Sequence, residues 1–463
     1  MRGLFRRIFN REGSGVASTI LRTSVSNMMV LVLTTLTSIL SARMFGVVGK
    51  GELAAIIFWP TFISGMVGLG LPTSLIYNIG KTREKASGFL NVAIYSIVPT
   101  GIMMGIVAWF GIPMWLSGYS QQVIEMTTWY TVVTLPMLLL INILLAAAQS
   151  MNQFHIYNRL RMLVPLMNVV GLIVIWSIEI VDLLYAVIVY VISNVISMVW
   201  AAIGLHKHLK YRWNTPRRDK GIFKSLFGYG SKAYGVELIG TLYTQFDKLI
   251  IMSLLTPRDF GLYSVVYALS RIYNTVQNAV TSVVFPKVSG LTKDKIVKIV
   301  SRAFRISTVL MIVIVVPSMV IGKHLLGILY GEEFLEAGST FYILAVECIL
   351  GGSSWILASS FNAYGKPGLV LIRQIIALTV TIVFMLILTP IMGLNGIALA
   401  LLGGSIIRLI ISIIAMSLLF KVPVRQIVYD KQDIHYIKHQ MRKKLLSKGV
   451  SGDEKPAKSS SHG

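Results

Sequence analysis

Long blocks of apolar residues alternate with short polar segments along almost the whole chain. Long, mostly apolar examples occupy residues 28–40, 92–109, 130–148 and 375–388. Because a helix needs about 20 mostly apolar residues to cross a bilayer, the pattern predicts an all-α polytopic membrane protein of about twelve transmembrane helices. The predicted spans are 17–45, 53–79, 87–111, 122–149, 158–178, 183–206, 225–255, 260–286, 300–322, 334–361, 368–389 and 395–420.

The predicted spans divide into two groups of six. Spans 1–6 form an N-lobe at 17–206 and spans 7–12 form a C-lobe at 225–420, which we expect to be pseudo-symmetric and to surround a central cavity. A basic cytoplasmic N-terminus at 1–16 precedes the first lobe, and a basic cytoplasmic linker at 207–224 joins the two.

The chain after the last span has a different composition. Residues 421–448 place apolar side chains at helical spacing among lysines and arginines. This spacing predicts a basic amphipathic helix on the anionic inner leaflet or, as the alternative, a helix that docks on a partner. Residues 449–463 are rich in Gly, Ser and Lys and are predicted to be a disordered tail.

Charged residues are scarce and unevenly placed. They make up 13% of the chain, against about 25% in soluble proteins. The predicted cytoplasmic connections hold twenty Lys and Arg residues and the outer ones four, which predicts a cell (inner/plasma) membrane protein with both termini in the cytoplasm. This distribution accounts for most of the net charge of +24, so no nucleic-acid partner is expected.

The residues that usually hold metals or cofactors do not form a motif. Cys348 is the single cysteine and lies in an apolar run, so a disulfide framework is excluded. His206 and His208 follow a span in a basic stretch, where interfacial residues are the better interpretation than metal ligands. The sequence contains no GxxxxGK phosphate loop. We therefore predict no metal and no cofactor.

Two stretches of the chain resemble each other at a near-constant offset. The segment that begins at Gly51 matches the one that begins at Gly261, and Gly80 matches Gly290, both at an offset of 210. Weak internal symmetry of this kind is typical of transporters whose two lobes rock about a central site. The alternative is chance similarity between apolar helices.

Several charged residues lie near the middle of predicted spans, where charge is costly. Asp247 and Arg271 lie at similar depth in spans 7 and 8, so they are predicted to pair or to share a cavity, whereas Lys248 is expected to face away from Asp247. Glu347 and Arg408 lie mid-membrane in spans 10 and 12. The sequence leaves two interpretations open: structural ion pairs, or a cationic cavity for an anionic ligand.

Other polar residues extend this candidate site. Arg22 is the main candidate cation of the first half. Asn274, Gln277 and Asn278 are predicted to share one helical face with Arg271, and interhelical hydrogen bonding is the alternative. Basic residues near span ends are expected to extend their charges toward water rather than bind anything; these are Arg43, Arg302 and Arg305.

The second half carries motifs that resemble a known family. The hairpin QFDKLIIMSLL at 245–255 followed by GLYSVVYALS at 261–270, then LYGEEF at 329–334, AYGKP at 363–367 and GLNGIA at 393–398, is similar to the polysaccharide (O-antigen/exopolysaccharide-type) flippase family of the multidrug/oligosaccharidyl-lipid/polysaccharide exporter superfamily. The resemblance is motif-like over 240–400 and topological elsewhere.

The resemblance implies a function. Such proteins translocate undecaprenyl-diphosphate-linked oligosaccharide repeat units from the cytoplasmic to the outer leaflet for surface polysaccharide biosynthesis, by alternating access. The implied partners are the lipid-linked oligosaccharide, membrane lipids and, as candidates, polysaccharide-assembly proteins. Arg271, Arg22 and Arg408 are then substrate-binding candidates with Asn274, Gln277 and Asn278, while Asp247 and Glu347 serve ion coupling or structural pairing.

Two other function classes compete with this hypothesis. An ion-coupled multidrug exporter of the same superfamily would need an acidic cavity. A membrane enzyme such as a sugar polymerase would need catalytic side chains on a large outer loop, and the predicted outer connections are about fifteen residues at most and lack such constellations. We therefore predict that the chain is not an enzyme.

Overall fold

Helices account for almost all of the residues that the structure describes. The structure is a computed structural model, and it describes residues 16–209, 220–288 and 291–430 together with Asp433. Its α-helices are α1 Val16–Val67, α2 Leu71–Lys81, α3 Ala86–Trp115, α4 Gln121–Ser150, α5 Phe154–Ser177, α6 Leu183–Leu209, α7 Lys220–Leu254, α8 Pro257–Ser270, α9 Asn274–Val288, α10 Lys293–Leu325, α11 Gly338–Ala363, α12 Pro367–Met392, α13 Leu394–Phe420 and α14 Val424–Val428.

Among the described residues, nine helical segments are long and apolar enough to cross a membrane. Many of their apolar side chains point outward: Phe110 is 71% exposed, Met114 79% and Ile391 76%. In a chain with so few charges, this outward apolar surface is suited to lipid. The predicted all-α polytopic membrane protein is therefore confirmed.

The difference between nine candidates and about twelve predicted spans has three physical origins. The first two predicted spans both begin in α1, whose helical backbone is interrupted by a kink at Gly46, where φ is 64°. Span 8 is split into α8 and α9 by a 3₁₀ turn at Arg271–Tyr273. Span 7 corresponds to α7, which carries six charged side chains: Lys220, Lys224, Lys232, Glu237, Asp247 and Lys248.

The helices form two compact units whose segments interleave along the chain. One unit comprises Met1–Ile272, Pro317–Glu347 and Gln374–Gly404, and the other comprises Tyr273–Val316, Cys348–Arg373 and Ser405–Gly463. The core of the second unit is an apolar cluster that draws on five helices; its most deeply buried members include Val288, Val300, Ile356, Phe361, Met416 and Ile427. The predicted division into an N-lobe and a C-lobe stays a prediction.

Within the first unit, α1 and α8 cross at two glycines. A Cβ on Gly51 would lie 1.8 Å from the carbonyl oxygen of Pro257, and a Cβ on Gly261 would lie 1.9 Å from that of Val47. Both glycines, and both carbonyl residues, are separated by the 210 residues of the sequence repeat. The contact between the two backbones is therefore reciprocal at the offset of the repeat, and the pseudo-symmetry of the two lobes stays a prediction.

Candidate functional site

A break between two helices of the first unit creates the most distinctive polar site. Helix α1 ends at Val67 and α2 begins at Leu71, and the two residues between Gly68 and Leu71 adopt left-handed conformations, with φ of 54° at Leu69 and 64° at Gly70. Pro72 in the first turn of α2 suits a helix start, because the missing N–H of proline needs no partner there.

Helix α7 packs closely against this break. A Cβ on Gly70 would lie 2.1 Å from the carbonyl oxygen of Gly230, so only glycine fits there. The Tyr234 hydroxyl donates to the Met66 carbonyl at 2.8 Å, and the Thr241 hydroxyl donates to the Gly65 carbonyl at 3.3 Å. These bonds satisfy carbonyl groups that the end of α1 leaves without helical partners.

A cavity of about 310 Å³ lies beside the break. Its lining combines neutral polar groups, one carboxylate and aliphatic side chains, and within the described part of the chain it includes no Lys, Arg, His or aromatic residue. The lining residues are Ser64, Gly65, Gly68, Pro72, Ile97, Leu139, Asn142, Ile143, Glu237, Gly240, Thr241 and Thr244. The cavity thus offers hydrogen-bonding groups at a place where the surrounding helices are apolar.

Glu237 supplies the carboxylate of this cavity. The Thr73 hydroxyl donates to Glu237 Oε1 at 2.5 Å. No protein donor reaches Glu237 Oε2 from the part of the chain that the structure describes. The second oxygen is therefore available to a donor on a ligand.

A second group of charged side chains joins α7, α8 and α11 in the same unit. Arg271 Nη1 lies 2.6 Å from Glu347 Oε2, and its guanidinium lies 4.4 Å from the centre of the Tyr267 ring. Lys248 Nζ lies 4.5 Å from the same ring centre and 3.4 Å from Asp247 Oδ1. Two cations and two carboxylates are thus linked through one aromatic ring, which balances charge inside the helices.

This arrangement corrects two predictions about Asp247. Arg271 pairs with Glu347 rather than with Asp247, whose carboxylate instead accepts a 2.5 Å hydrogen bond from the Tyr263 hydroxyl. Lys248 does contact Asp247, because its four-carbon stem folds back although neighbouring Cα–Cβ bonds diverge on a helix. Asp247 and Glu347 are each 3% exposed, so both carboxylates depend on these partners.

The remaining site candidates fall in different environments. Arg22 is half-buried on α1, and Arg408 is buried on α13, where its Nη2 donates to Ser405 Oγ at 2.5 Å. Gln277 lies against Gly352 in the second unit, where a Cβ would come within 2.4 Å of its Oε1. Asn274 is half-buried and Asn278 is exposed.

The shared helical face predicted for these residues does not form as one continuous α-helix. The 3₁₀ turn at Arg271–Tyr273 separates Arg271 from Asn274, Gln277 and Asn278 on α9. A 3₁₀ turn has three residues per turn instead of 3.6. The spacing of three and seven residues therefore no longer places Arg271 on the α9 face.

Three arginines that were expected to extend toward water bind protein groups instead. Arg43 donates from Nε to the Leu329 carbonyl at 2.9 Å and from Nη2 to the Ile328 carbonyl, at the end of a π-helical turn, Leu326–Tyr330. Arg302 and Arg305 each form an ion pair with Asp433. Carbonyl groups at a helix end and a nearby carboxylate are the partners that explain these positions.

The sequence interpretation did not single out two buried or cavity-lining residues, Glu237 of the first unit and Arg373 of the second. Glu237 lies inside the predicted span 225–255, ten residues before Asp247; its position as a charge within a span was the signal that marks it. Arg373 was counted in a cytoplasmic connection but is 1% exposed within α12, where its Nη1 donates to Ser354 and Ser412. Helix α12 begins at Pro367, which places Arg373 almost two turns inside it.

Within the described ranges, no group of three or more His, Cys, Asp or Glu side chains is placed to hold a metal ion. Cys348, the single cysteine, is buried.

Comparison with known proteins places the chain in a family. Residues 35–339 match the family described as "Polysaccharide biosynthesis protein". A probable low-salt glycan biosynthesis flippase, Agl15 of Haloferax volcanii, is 29% identical over 181 residues, which cover 38% of this chain and 38% of that relative. The similarity to this curated relative thus spans well under two thirds of its length.

Solved structures show the fold. The lipid II flippase MurJ in an inward closed conformation aligns with a TM-score of 0.73 at 15% identity, over 88% of this chain and 89% of that chain. An inward-facing multidrug resistance MATE family transporter of the MOP superfamily aligns with a TM-score of 0.68 at 15% identity, over 86% and 98%. At these identities the likeness concerns the fold alone. Since the family match covers more than half of its length, this multi-pass membrane protein belongs to the Polysaccharide biosynthesis protein family.

Proposed function

We propose that the protein is a flippase that moves undecaprenyl-diphosphate-linked oligosaccharide repeat units from the cytoplasmic to the outer leaflet, by alternating access, for surface polysaccharide biosynthesis. The observation that carries the proposal is the polar cavity beside Glu237, enclosed by otherwise apolar helices of a polysaccharide-family membrane protein. Agl15, a relative over part of the chain, is described as a probable glycan biosynthesis flippase.

The energetic need for such a protein is large. Moving one hydroxyl group into hydrocarbon without a partner costs about 4–8 kcal/mol on cyclohexane scales. A sugar unit with several hydroxyls faces several times that cost before its phosphate charge is counted. A hydrogen-bonding interior removes most of this barrier, while the prenyl chain stays in lipid.

The proposal includes the finer architecture. We infer twelve crossings in two lobes, with both termini in the cytoplasm and the membrane lipids and polysaccharide-assembly proteins as neighbours. The reciprocal crossing at Gly51 and Gly261 supports the repeat. In this proposal α7 also crosses the membrane, although its charged side chains lower its hydropathy. The α8–α9 pair supplies another crossing, which is interrupted by the 3₁₀ turn.

The arginines remain candidates for the pyrophosphate. Arg271, Arg22 and Arg408 each offer a planar fork that suits phosphate oxygens. At Arg271 a phosphate would have to share the guanidinium with Glu347, because that carboxylate holds Nη1 at 2.6 Å. Asp247 and Glu347 are the candidates for ion coupling in this proposal.

A second candidate function has one observation in its favour. The carboxylate of Glu237 in the cavity is the feature that an ion-coupled multidrug exporter requires for a cationic substrate. The MATE transporter above shares the fold. We rank this alternative lower because no aromatic side chain lines the cavity to receive a lipophilic cation.

Export in cells separates the two functions. A strain that lacks the native gene should recover surface polysaccharide and stop accumulating lipid-linked sugar when it expresses the chain. Gly240 lines the cavity and has open space around its would-be Cβ, so Gly240→Phe should fill the cavity and abolish export at normal protein abundance. Gly235→Phe is the matched control, since Gly235 lies on the same helix with equally open space and does not line the cavity.

Drug resistance is measured in the same strain. Restored resistance to cationic drugs without restored polysaccharide would contradict the flippase and support the exporter.

A further inference from the structure

We propose that the cavity beside the α1–α2 break binds a sugar ring of the substrate, with Glu237 as the acceptor that anchors its hydroxyl groups. This inference rests on the proposed flippase function and deepens it by separating a sugar site from the arginines considered for the pyrophosphate. The hydrogen bonds that the lining groups already form support it.

The cavity presents mainly hydrogen-bond acceptors. The Thr241 hydroxyl donates to the Gly65 carbonyl at 3.3 Å, and the Thr244 hydroxyl donates to the Gly240 carbonyl at 3.0 Å. Their protons are therefore in use, and their oxygen lone pairs remain for a ligand. Ser64 Oγ receives a hydrogen bond from the Asn142 amide at 3.3 Å, so its own O–H can still donate to a ligand.

Glu237 completes this set of acceptors. An ionised carboxylate accepts hydrogen bonds only, and Thr73 occupies Oε1 alone. A ligand that fits such a lining must bring several donors. Sugar hydroxyl groups do so, whereas a pyrophosphate brings acceptors and negative charge, which Glu237 would repel.

The apolar part of the lining suits the same ligand. Ile97, Leu139 and Ile143 present aliphatic side chains beside the polar groups. A pyranose ring has C–H faces that pack on aliphatic surface while its hydroxyls point sideways. The lining has no aromatic ring of the kind that attracts a quaternary or lipophilic cation.

The size of the cavity limits how much of the substrate it accepts. At about 310 Å³ it lies at the lower end of the range of about 300–1,000 Å³ that is usual for small-molecule sites. A whole oligosaccharide does not fit, so the cavity binds only one or two sugar rings. Gly240 keeps one wall open, since nothing lies within 4 Å of its would-be Cβ.

Binding of free sugars to the purified full chain tests the inference directly. Saturation-transfer NMR in nanodiscs would use a panel of glucose, galactose, rhamnose and N-acetylglucosamine, with inorganic pyrophosphate as competitor. At least one sugar should bind, and pyrophosphate should not displace it. Glu237→Ala should weaken binding by about tenfold or more, the effect of losing a hydrogen bond to a charged group. Gly240→Phe should weaken binding at least as much, because its ring would fill the cavity.

Matched variants assign the cause. Glu84→Ala removes an exposed carboxylate that does not line the cavity, and Gly235→Phe adds the same ring outside the lining; both variants should bind as the unaltered chain does. Glu237→Gln keeps an acceptor and loses the charge, so it should retain much of the binding that Glu237→Ala loses.

The inference is overturned if no sugar binds, or if sugar binding survives Gly240→Phe. It is also overturned if Glu237→Gln loses as much sugar binding as Glu237→Ala while tetraphenylphosphonium binds in a Glu237-dependent manner. A chain that restores polysaccharide export yet binds no sugar here disproves the sugar site alone. A chain that restores no export disproves the proposed function.

Discussion

Buried charged residues limit which single substitutions this protein tolerates. Glu347 is almost fully buried and Arg271 is 24% exposed, and the two lie 2.6 Å apart. Removing one partner leaves the other charge in an apolar surrounding, which costs more than the pair contributes. The pair therefore constrains both positions, whichever further role Arg271 has.

The first prediction concerns this pair. Arg271→Ala should lower stability by about 3 kcal/mol, at the lower end of the range for broken buried pairs because Arg271 is partly exposed. The Arg271→Ala/Glu347→Gln double variant should recover most of that loss, since it removes the orphaned charge. The measurement is the melting temperature of the detergent-solubilised full chain.

A third variant addresses phosphate binding. Arg271→Lys keeps a cation beside Glu347, so it should fold normally. If Arg271 also grips pyrophosphate through its fork, this variant should lose most export. Full stability and full export in Arg271→Ala would contradict both roles.

At this scale the sequence predicted which residues carry the charge but not all of their partners. Arg271, Asp247, Glu347 and Arg408 were recognised because charges inside apolar runs are visible in one dimension. The choice of Glu347 for Arg271 depends on how α8 and α11 pack, which periodicity does not contain. Glu237 was overlooked although it too is a charge within a predicted span, and its partner, Thr73, lies 164 residues away and cannot be found from periodicity.

At the scale of helices, the crossing of α1 and α8 depends on two missing side chains. Gly51→Ala and Gly261→Ala would each drive a methyl group to within 2 Å of a carbonyl oxygen of the other helix. We predict that each destabilises the chain by about 1–3 kcal/mol or more, the cost of overpacking. Gly111→Ala is the control, because nothing lies within 4 Å of that position.

Heat stability of the solubilised chain measures the effect. The control should match or slightly exceed the unaltered chain, since alanine favours helix over glycine. Equal melting temperatures for Gly51→Ala and Gly111→Ala would contradict the contact.

Ion pairs and hydrogen bonds hold the segment after α13. Asp433 Oδ1 lies 3.0 Å from Arg302 Nε, and Asp433 Oδ2 lies 2.5 Å from Arg305 Nε. Arg305 also donates to the Gln426 carbonyl at 2.7 Å and to the Ile427 carbonyl at 3.0 Å. Two arginines of α10 thus fasten the short helix α14 and Asp433, which lies five residues after the end of that helix.

This contact should depend on pH. Burial raises the pKa of the Asp433 carboxyl, but hydrogen bonds from Arg305 and Arg302 lower it by more, so the pKa lies below its usual value. A carboxyl with a lowered pKa stabilises the folded state above its unfolded pKa of about 3.9 and loses that contribution as the pH falls through the lowered value. The fastening should therefore persist from neutral pH down to about pH 4.

Hydrogen exchange at Ile427 and Val428 measures the fastening. Asp433→Asn should accelerate exchange at neutral pH, and Asp430→Asn should change it less, because Asp430 lies 3.6 Å from Arg305 and is more exposed. Equal effects of the two variants would contradict the role given to Asp433. The helix described here ends at Val428, and residues 434–448 of the predicted amphipathic helix lie outside the described residues.

Most helices were predictable, since α3–α6 and α10–α13 coincide with long apolar runs. The interruptions were not. The break at Arg271–Tyr273 follows no proline or glycine in the sequence, so local propensity gives no sign of it. The left-handed residues at the α1–α2 break are marked by Gly70 but also include Leu69, which only packing against α7 explains.

For the whole molecule, the proposed topology makes a prediction about labelling. Single cysteines in a Cys348→Ser background should react with an impermeant thiol reagent from outside at Gly118 and Glu336, and should be protected at Thr82 and Lys220. Glu336 is well placed for this, as its side chain is 57% exposed. The experiment uses intact cells and compares labelling before and after lysis.

Labelling of the Lys220 variant from outside would overturn the arrangement of six spans on each side of the linker. The family and the fold were predictable at this scale because the order of the motifs and the long apolar runs can be read directly from the sequence. The division into the two interleaved units was not, since it depends on where α8 is interrupted and on how the helices pack.

The reciprocal contact of Gly51 and Gly261 also bears on how evolution can alter the protein. Each glycine avoids a main-chain oxygen of the opposite helix, not a side chain. No substitution at one position can therefore make room for a larger residue at the other. In related sequences the two positions should stay glycine without covarying, so methods that infer contacts from correlated substitutions would miss a point where two helices touch most closely.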